Sequence, residues 1–332
     1  MKRIILITSL VILASCKYQS EDYEVLQSKK LDISDSIMHS TELVFLGDLL
    51  VISDFGDVDY FKVIDVNSDR IVKRFGKLGE GPCELKPYST IQKVNNFTLG
   101  VFDRQDFSYL EYSLDKVDSV FCQNETKKFD FNIQKLIKLN SEVFLGVGLY
   151  DGRYLLTNSV NYSIDSVFFE YPFNSELPIT YEEKAMLFQG NFTNNLDNSR
   201  IAFATRSSPV LDILSFEDNK IRLIKRIQGS KLPVFASENS GTMIGATLDN
   251  SNLWGFLSIT SSNSYLYVLY SGKRTDEDYQ ISDVVMVYDW DGNLIKRIKL
   301  DQEVSEIVVD GNDNYLIGYL DDGKSNLYQF NL

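Results

Sequence analysis

Val287-Tyr288-Asp289-Trp290-Asp291-Gly292-Asn293-Leu294-Ile295 reads as an apolar strand ending in Asp, a short polar turn and a returning apolar strand. Asp and Asn cap such turns and tolerate left-handed backbone, and Gly reaches it without steric cost. The same grammar stands at Val63-Ile64-Asp65-Val66-Asn67-Ser68-Asp69-Arg70-Ile71-Val72. Looser copies are Phe216-Glu217-Asp218-Asn219-Lys220-Ile221 and Tyr112-Ser113-Leu114-Asp115-Lys116-Val117. One kind of hairpin recurring along a chain marks a structural repeat, and four strands about every 40–50 residues is the pattern of a β-propeller blade.

Working outward from these hairpins, short runs rich in Val, Ile, Phe and Tyr group into sets. Set one is Leu43–Leu46, Leu49–Ser53, Tyr60–Val66 and Arg70–Phe75. Set two is Ile91–Val94, Phe97–Phe102, Tyr109–Ser113 and Val117–Cys122, and set three is Ile133–Leu139, Val143–Leu149, Gly152–Thr157 and Ser166–Tyr171. Set four is Lys184–Gln189, Arg200–Thr205, Val210–Phe216 and Lys220–Ile227. Set five is Leu253–Ile259, Ser264–Tyr270, Asp283–Asp289 and Leu294–Leu300. Set six has only Val304–Val309, Asn314–Leu320 and Ser325–Phe330. A ring with an open edge leaves unpaired N–H and C=O groups. Glu24–Ile33, an orphan strand before set one, is placed to fill that edge. The expected fold is all-β, a six-bladed β-propeller whose last blade is closed by an N-terminal strand. Two longer connections, Asn174–Glu183 and Gln228–Asn252, are expected on one face, where loops are free to carry specificity.

Composition sets further bounds. Of 332 residues, 44% are hydrophobic and 13% aromatic, which suits a large β core rather than disorder. The net charge of −14 repels phosphate backbones, so nucleic acid is not an expected partner. The single histidine, His39, has no nucleophile motif near it, and reads as solvated or structural. The Asp-rich turns starting at Asp289 and Asp310 lack EF-hand spacing: the sixth and twelfth positions are Leu294 and Leu300 in one, Tyr315 and Asp321 in the other. They read as hairpin turns. The glycine-rich stretch Gly76–Glu84 fits neither a P-loop nor a dinucleotide pattern and reads as a linker between blades. No metal or cofactor is expected. Cys83 and Cys122, 39 positions apart, read as partly buried free thiols in preference to a disulfide.

Two stretches carry resemblances. Phe75-Gly76-Lys77-Leu78-Gly79-Glu80-Gly81-Pro82-Cys83-Glu84-Leu85-Lys86-Pro87 resembles the Phe-Gly-x-x-Gly-x-Gly-Pro-Gly-Glu-Phe-x-x-Pro linker of TolB-like and NHL-like six-bladed propellers. Cys83 stands for the usual Gly, Leu85 for the usual Phe, and Pro87 arrives one residue early. The resemblance implies the fold and leaves the function open. At the N-terminus, Lys2 and Arg3 precede the apolar run Ile4–Leu13, too short to span a bilayer, and Leu13-Ala14-Ser15-Cys16 resembles a bacterial lipobox. This implies a signal peptide over residues 1–15 and a lipid on the Cys16 thiol, such as palmitate. It also implies a polar tether over 16–23 before a single propeller domain over 24–332. Losing Lys2 and Arg3 with the leader takes the charge from −14 to −16. Many lipoproteins of Gram-negative bacteria share this layout, which implies the cell envelope, at the outer membrane. Asp35-Ser36-Ile37, Asp118-Ser119-Val120 and Asp165-Ser166-Val167 match an O-glycosylation pattern of some exported Gram-negative proteins, making Ser36, Ser119 and Ser166 candidate acceptors beside the alternative of chance in an Asp- and Ser-rich chain.

The expected function is a lipid-anchored binding or scaffold module without catalysis, its partner an envelope protein or a carbohydrate or peptide ligand. The alternative is a metal-dependent, lactonase-like propeller hydrolase using carboxylates in the central channel, with Asp54, Asp103 or Asp249 among those to consider.

Overall fold

A computed structural model describes residues 22–116, 119–122, 127–159, 162–172, 179–229, 235–239 and 244–332. Its sheets form a six-bladed β-propeller. Blade one runs from the channel outward as Ser40–Leu46, Leu49–Asp54, Asp59–Asp65 and Arg70–Leu78. Blade two is Thr90–Asn95, Thr98–Asp103, Ser108–Lys116 and Ser119–Cys122, and blade three is Ile133–Lys138, Val143–Gly148, Tyr154–Asn158 and Ile164–Phe168. Blade four is Gly190–Asn194, Arg200–Thr205, Val210–Glu217 and Lys220–Gln228. Blade five is Phe256–Ser261, Tyr265–Tyr270, Ser282–Asp289 and Leu294–Val304. Blade six supplies Glu306–Val309, Tyr315–Asp321 and Ser325–Asn331. The strands alternate in direction within each blade, and the inner strands neighbour one another around the ring.

The ring closes at the chain's N-terminal side, as the missing strand of set six requires. Ser28–Lys30 pairs antiparallel with Ser325–Asn331 and completes blade six. The clasp is longer and more divided than one strand over Glu24–Ile33. Tyr23–Leu26 instead lies parallel along Leu294–Val304, the outer strand of blade five, and Asp32–Ser36 turns into a 3₁₀ helix. Leu31 between them is fully buried, and its N–H donates to Leu327 O at 2.9 Å. Leu31, Ile33 and Ile37 then join Leu43 and Phe45 of blade one and Ile317 and Leu327 of blade six in one apolar cluster. The clasp therefore seals the edge with backbone hydrogen bonds and the blade one–six seam with apolar area.

Two expectations are corrected, and one connection gains detail. Lys184–Gln189 is not a strand: Tyr181–Leu187 is helical, and blade four begins at Gly190. Thr180 caps this helix, accepting from Glu183 N while Glu183 Oε2 accepts from Thr180 N, a reciprocal capping box. The connection after Gln228 contains a hairpin, Phe235–Asn239 with Ile244–Leu248. Cys83 and Cys122 are not free thiols; they form a disulfide with Cα atoms 6.2 Å apart. The linker bends back so that Leu85 fills the wedge between blades one and two with Phe61, Phe75 and Tyr112. That bend carries Cys83 to the outer strand of blade two. At the position where the resembling linkers have Gly, Cys83 holds φ at +61°, a left-handed conformation that the disulfide and the Tyr112 Oη hydrogen bond to Cys83 O keep in place.

Candidate functional site

In a propeller the inner strands all run the same way along the channel. The connections entering them gather at one end, the entry face, and the first hairpin turns gather at the other, the turn face. Parts of Asn174–Glu183 and Gln228–Asn252 lie outside the described residues; the described ends of both connections lead into inner strands, at the entry face. They touch each other: Leu187 and Phe188 cluster with Val210 and, from the inserted hairpin, Ala246 and Leu248.

Arg206 lies where the two insertions end. Its N–H donates to Gln189 O at 2.9 Å, and its carbonyl accepts from Gly255 N at 2.6 Å. Glycine is required at 255, since a Cβ there would stand 2.3 Å from Ser208 O and 2.6 Å from Thr205 O. A cavity of about 270 Å³ opens beside Arg206, lined also by Glu42, Tyr88, Ser89, Thr90, Arg104, Gln134, Lys135, Gln189 and Asn191. Lys135 Nζ bridges Glu42 Oε1 at 3.1 Å and Asn191 Oδ1 at 2.6 Å. Arg104 and Arg206 are exposed, and neither guanidinium has a hydrogen bond or ion pair among the described residues. Tyr88 is 56% exposed, holds φ at +67° and packs on Phe55 with ring centroids 5.0 Å apart.

The turn face has the opposite character. Its cavity of about 280 Å³ is lined by Glu42, Asp48 and Glu306 against one cation, Lys93, with amides and hydroxyls from Gln92, Asn194, Thr193, Ser258, Thr260 and Ser261. Glu306 touches the cavity yet is ringed by protein; burial, then the charge of Glu42, holds its carboxyl well above the usual range. Lys135, Leu43 N–H and Arg206 pull the other way without prevailing. Burial likewise lowers the Lys93 ammonium against the pull of Asp48. The amides are largely engaged with one another: Gln92 bridges Lys138 through its carbonyl and N–H, both at 2.8 Å, and Thr193 Oγ1 meets Ser261 Oγ at 2.8 Å. Hydrogen bonds between blades thus brace this end.

The residues named from sequence fall elsewhere. Asp54 is fully buried, accepts from Met38, His39 and Gly56 N–H, and pairs with buried Lys62. Asp103 accepts from Lys86, Gln105 and Asp106 N–H. Asp249 accepts from Ser251 N and is exposed. Each organises its own loop, and the three do not converge in the channel. Asp289 and Asp310 accept N–H groups of their own turns, as hairpin turns should. His39 pairs with Asp321 at 2.6 Å on the surface. Ser36 and Ser166 are exposed. Ser119 begins the outer strand of blade two, while Cys16, the leader and most of the tether lie outside the described residues. Glu42, Lys135, Asn191, Arg206 and Glu306 were not singled out from sequence. Four of them lie in inner strands, of which Ile133–Lys138 and Gly190–Asn194 carry several polar residues each, and Arg206 lies in a turn, so no pattern marked them.

Fold and channel together define a six-bladed propeller with an open, cation-lined entry face. The family described as TolB-like 6-blade propeller-like matches residues 22–312, and the chain belongs to it. No curated protein matches the sequence. Among solved structures, it is similar to a Bacteroides fragilis protein described as exported, at 15% identity over 92% of this chain and 94% of that one, with a TM-score of 0.57. A member of the DUF4221 family from Bacteroides vulgatus is similar at 12% identity over 93% and 97%, with a TM-score of 0.54. At such identities the likeness is one of fold.

Proposed function

We propose that the protein is an exported, lipid-anchored propeller of the cell envelope that binds a ligand or partner at its entry face and catalyses no reaction. The observation that carries the binding is Arg206, clamped by backbone between two insertions at the mouth of a cavity, its guanidinium without a hydrogen bond or ion pair among the described residues. Fixed backbone with a free polar head is how binding residues are presented from loops. Export draws support from the lipobox-like Leu13-Ala14-Ser15-Cys16. The Cys83–Cys122 disulfide adds to it, since such bonds persist outside the reducing cytoplasm. The Bacteroides fragilis protein described as exported shares the fold.

Binding is tested by capture from native membranes through a tag after Leu332. Replacing residues 228–252 with a short Gly-Ser link should abolish capture while circular dichroism stays β-like. Capture that survives the replacement places the site elsewhere. The anchor is tested separately: Cys16→Ala should abolish labelling by radioactive palmitate, and labelling that persists would remove the lipid from the proposal.

A further inference from the structure

The entry-face cavity contains three cations, Arg104, Lys135 and Arg206, against one carboxylate, Glu42. That excess stands in a chain whose net charge is −14. Lys135 is already engaged with Glu42 and Asn191, whereas the two guanidiniums make no hydrogen bond or ion pair among the described residues. A guanidinium presents a planar fork of donors that matches a carboxylate in geometry as well as sign. Loose cations on an acidic protein would gain more from pairing with its many surface carboxylates than from standing apart. Arg104 and Arg206 are kept apart by placement, on turns of blades two and four either side of the Gln134–Lys135 end of blade three.

The remaining lining narrows the ligand. Ser89, Thr90, Gln134, Gln189 and Asn191 offer hydroxyls and amides, which both donate and accept. Such groups suit a ligand covered in hydroxyls. Tyr88 adds a half-exposed aromatic face at the rim, held there in a left-handed conformation and backed by Phe55. An aromatic face packs against the C–H face of a sugar ring. We propose that the entry-face cavity binds a carboxylate-bearing saccharide, with Arg104 and Arg206 taking carboxylates, Tyr88 packing on a sugar ring, and the amides reading hydroxyls. This names the ligand class for the binding reading above and rests on it.

The test uses calorimetry on the full mature chain with three probes of similar length: trigalacturonic acid, neutral maltotriose and triglutamate. Trigalacturonic acid should bind, with affinity falling as salt rises. Arg206→Gln and Arg104→Gln should each weaken it at least tenfold. Tyr88→Asn should do the same, since Asn keeps the left-handed backbone and removes the ring. Lys220→Gln, on an outer strand, is the control and should change nothing. Equal binding of maltotriose would overturn the role of the charges. Equal or tighter binding of triglutamate would overturn the saccharide in favour of an acidic peptide. Absence of binding to all three would overturn the proposal outright, and membrane capture that still depended on residues 228–252 would then leave the broader binding reading standing.

Discussion

The two ends of the channel are built from the same six inner strands and differ in almost everything else. At the turn face, turns of two to five residues bring Asp48 and neighbouring amides together, and side chains hydrogen-bond across blades. Asn95, Asn195, Ser262 and Asp310 accept N–H groups of their own turns there. Burial, and after it the charge of Glu42, makes the Glu306 carboxyl hold its proton well above the usual range. At the entry face, longer connections lead into the inner strands, and Arg104 and Arg206 make no hydrogen bond or ion pair among the described residues. The ends of the two insertions, Gln189 and Gly255, fix the backbone of Arg206 by hydrogen bonds and leave its side chain at the mouth.

Opening the ring should erase both ends at once, and is the largest effect expected. Deleting residues 23–30 unpairs the outer edge of blade six and withdraws the segment that positions Leu31. The loss should reach several kcal/mol, against a typical domain stability of about 5–15 kcal/mol, and urea denaturation would show it as a collapse of the midpoint or as aggregation. A deletion variant that melts like the parent would mean that blade six is sealed without the clasp.

Cutting the disulfide should separate the ends. Cys83→Ser frees the linker that leads to Pro87 and Tyr88 and should cost about 2–4 kcal/mol, read as a lower melting temperature. The entry face should lose order first, seen as faster amide exchange at residues 86–90 than at the turn around Asp48. Equal loosening at both would show that the two ends are one cooperative unit.

Glu306 provides the pH signature of the turn face. Its native carboxyl binds the proton more tightly than the unfolded one. Its contribution is therefore greatest below the ordinary carboxyl range and is lost as pH rises through the elevated native value. Glu306→Gln should remove that fall and stabilise the protein at higher pH, by about 1.4 kcal/mol for each unit separating native and unfolded values. Urea denaturation at several pH values reads it. A variant less stable than the parent at high pH would show the charged form to be favoured by its neighbours.

The contrast between the ends also explains how much could be read in the chain beforehand. Blade strands were legible because each is a local pattern, alternation closed by an Asp turn, as at Asp65 and Asp289. The clasp was legible from a missing strand. The helix over Tyr181–Leu187 left a readable trace in Thr180-Tyr181-Glu182-Glu183, a capping box outweighed by the expectation of a fourth inner strand. The disulfide was not legible, because its geometry depends on a linker folding back over Leu85. The site was least legible of all. Glu42, Arg104, Lys135, Asn191 and Arg206 come from four blades, and only ring closure brings them to one cavity. No spacing in sequence encodes that meeting.

The central claim is that recognition belongs to the entry face. Paired charge reversals test it most directly: Arg206→Glu at one end and Asp48→Lys at the other, each assayed for retention on immobilised polygalacturonate at physiological salt. Both residues are exposed, so both variants should fold. The account expects Arg206→Glu to abolish retention and Asp48→Lys to leave it unchanged. Retention that survives Arg206→Glu, or that is lost through Asp48→Lys alone, would contradict it.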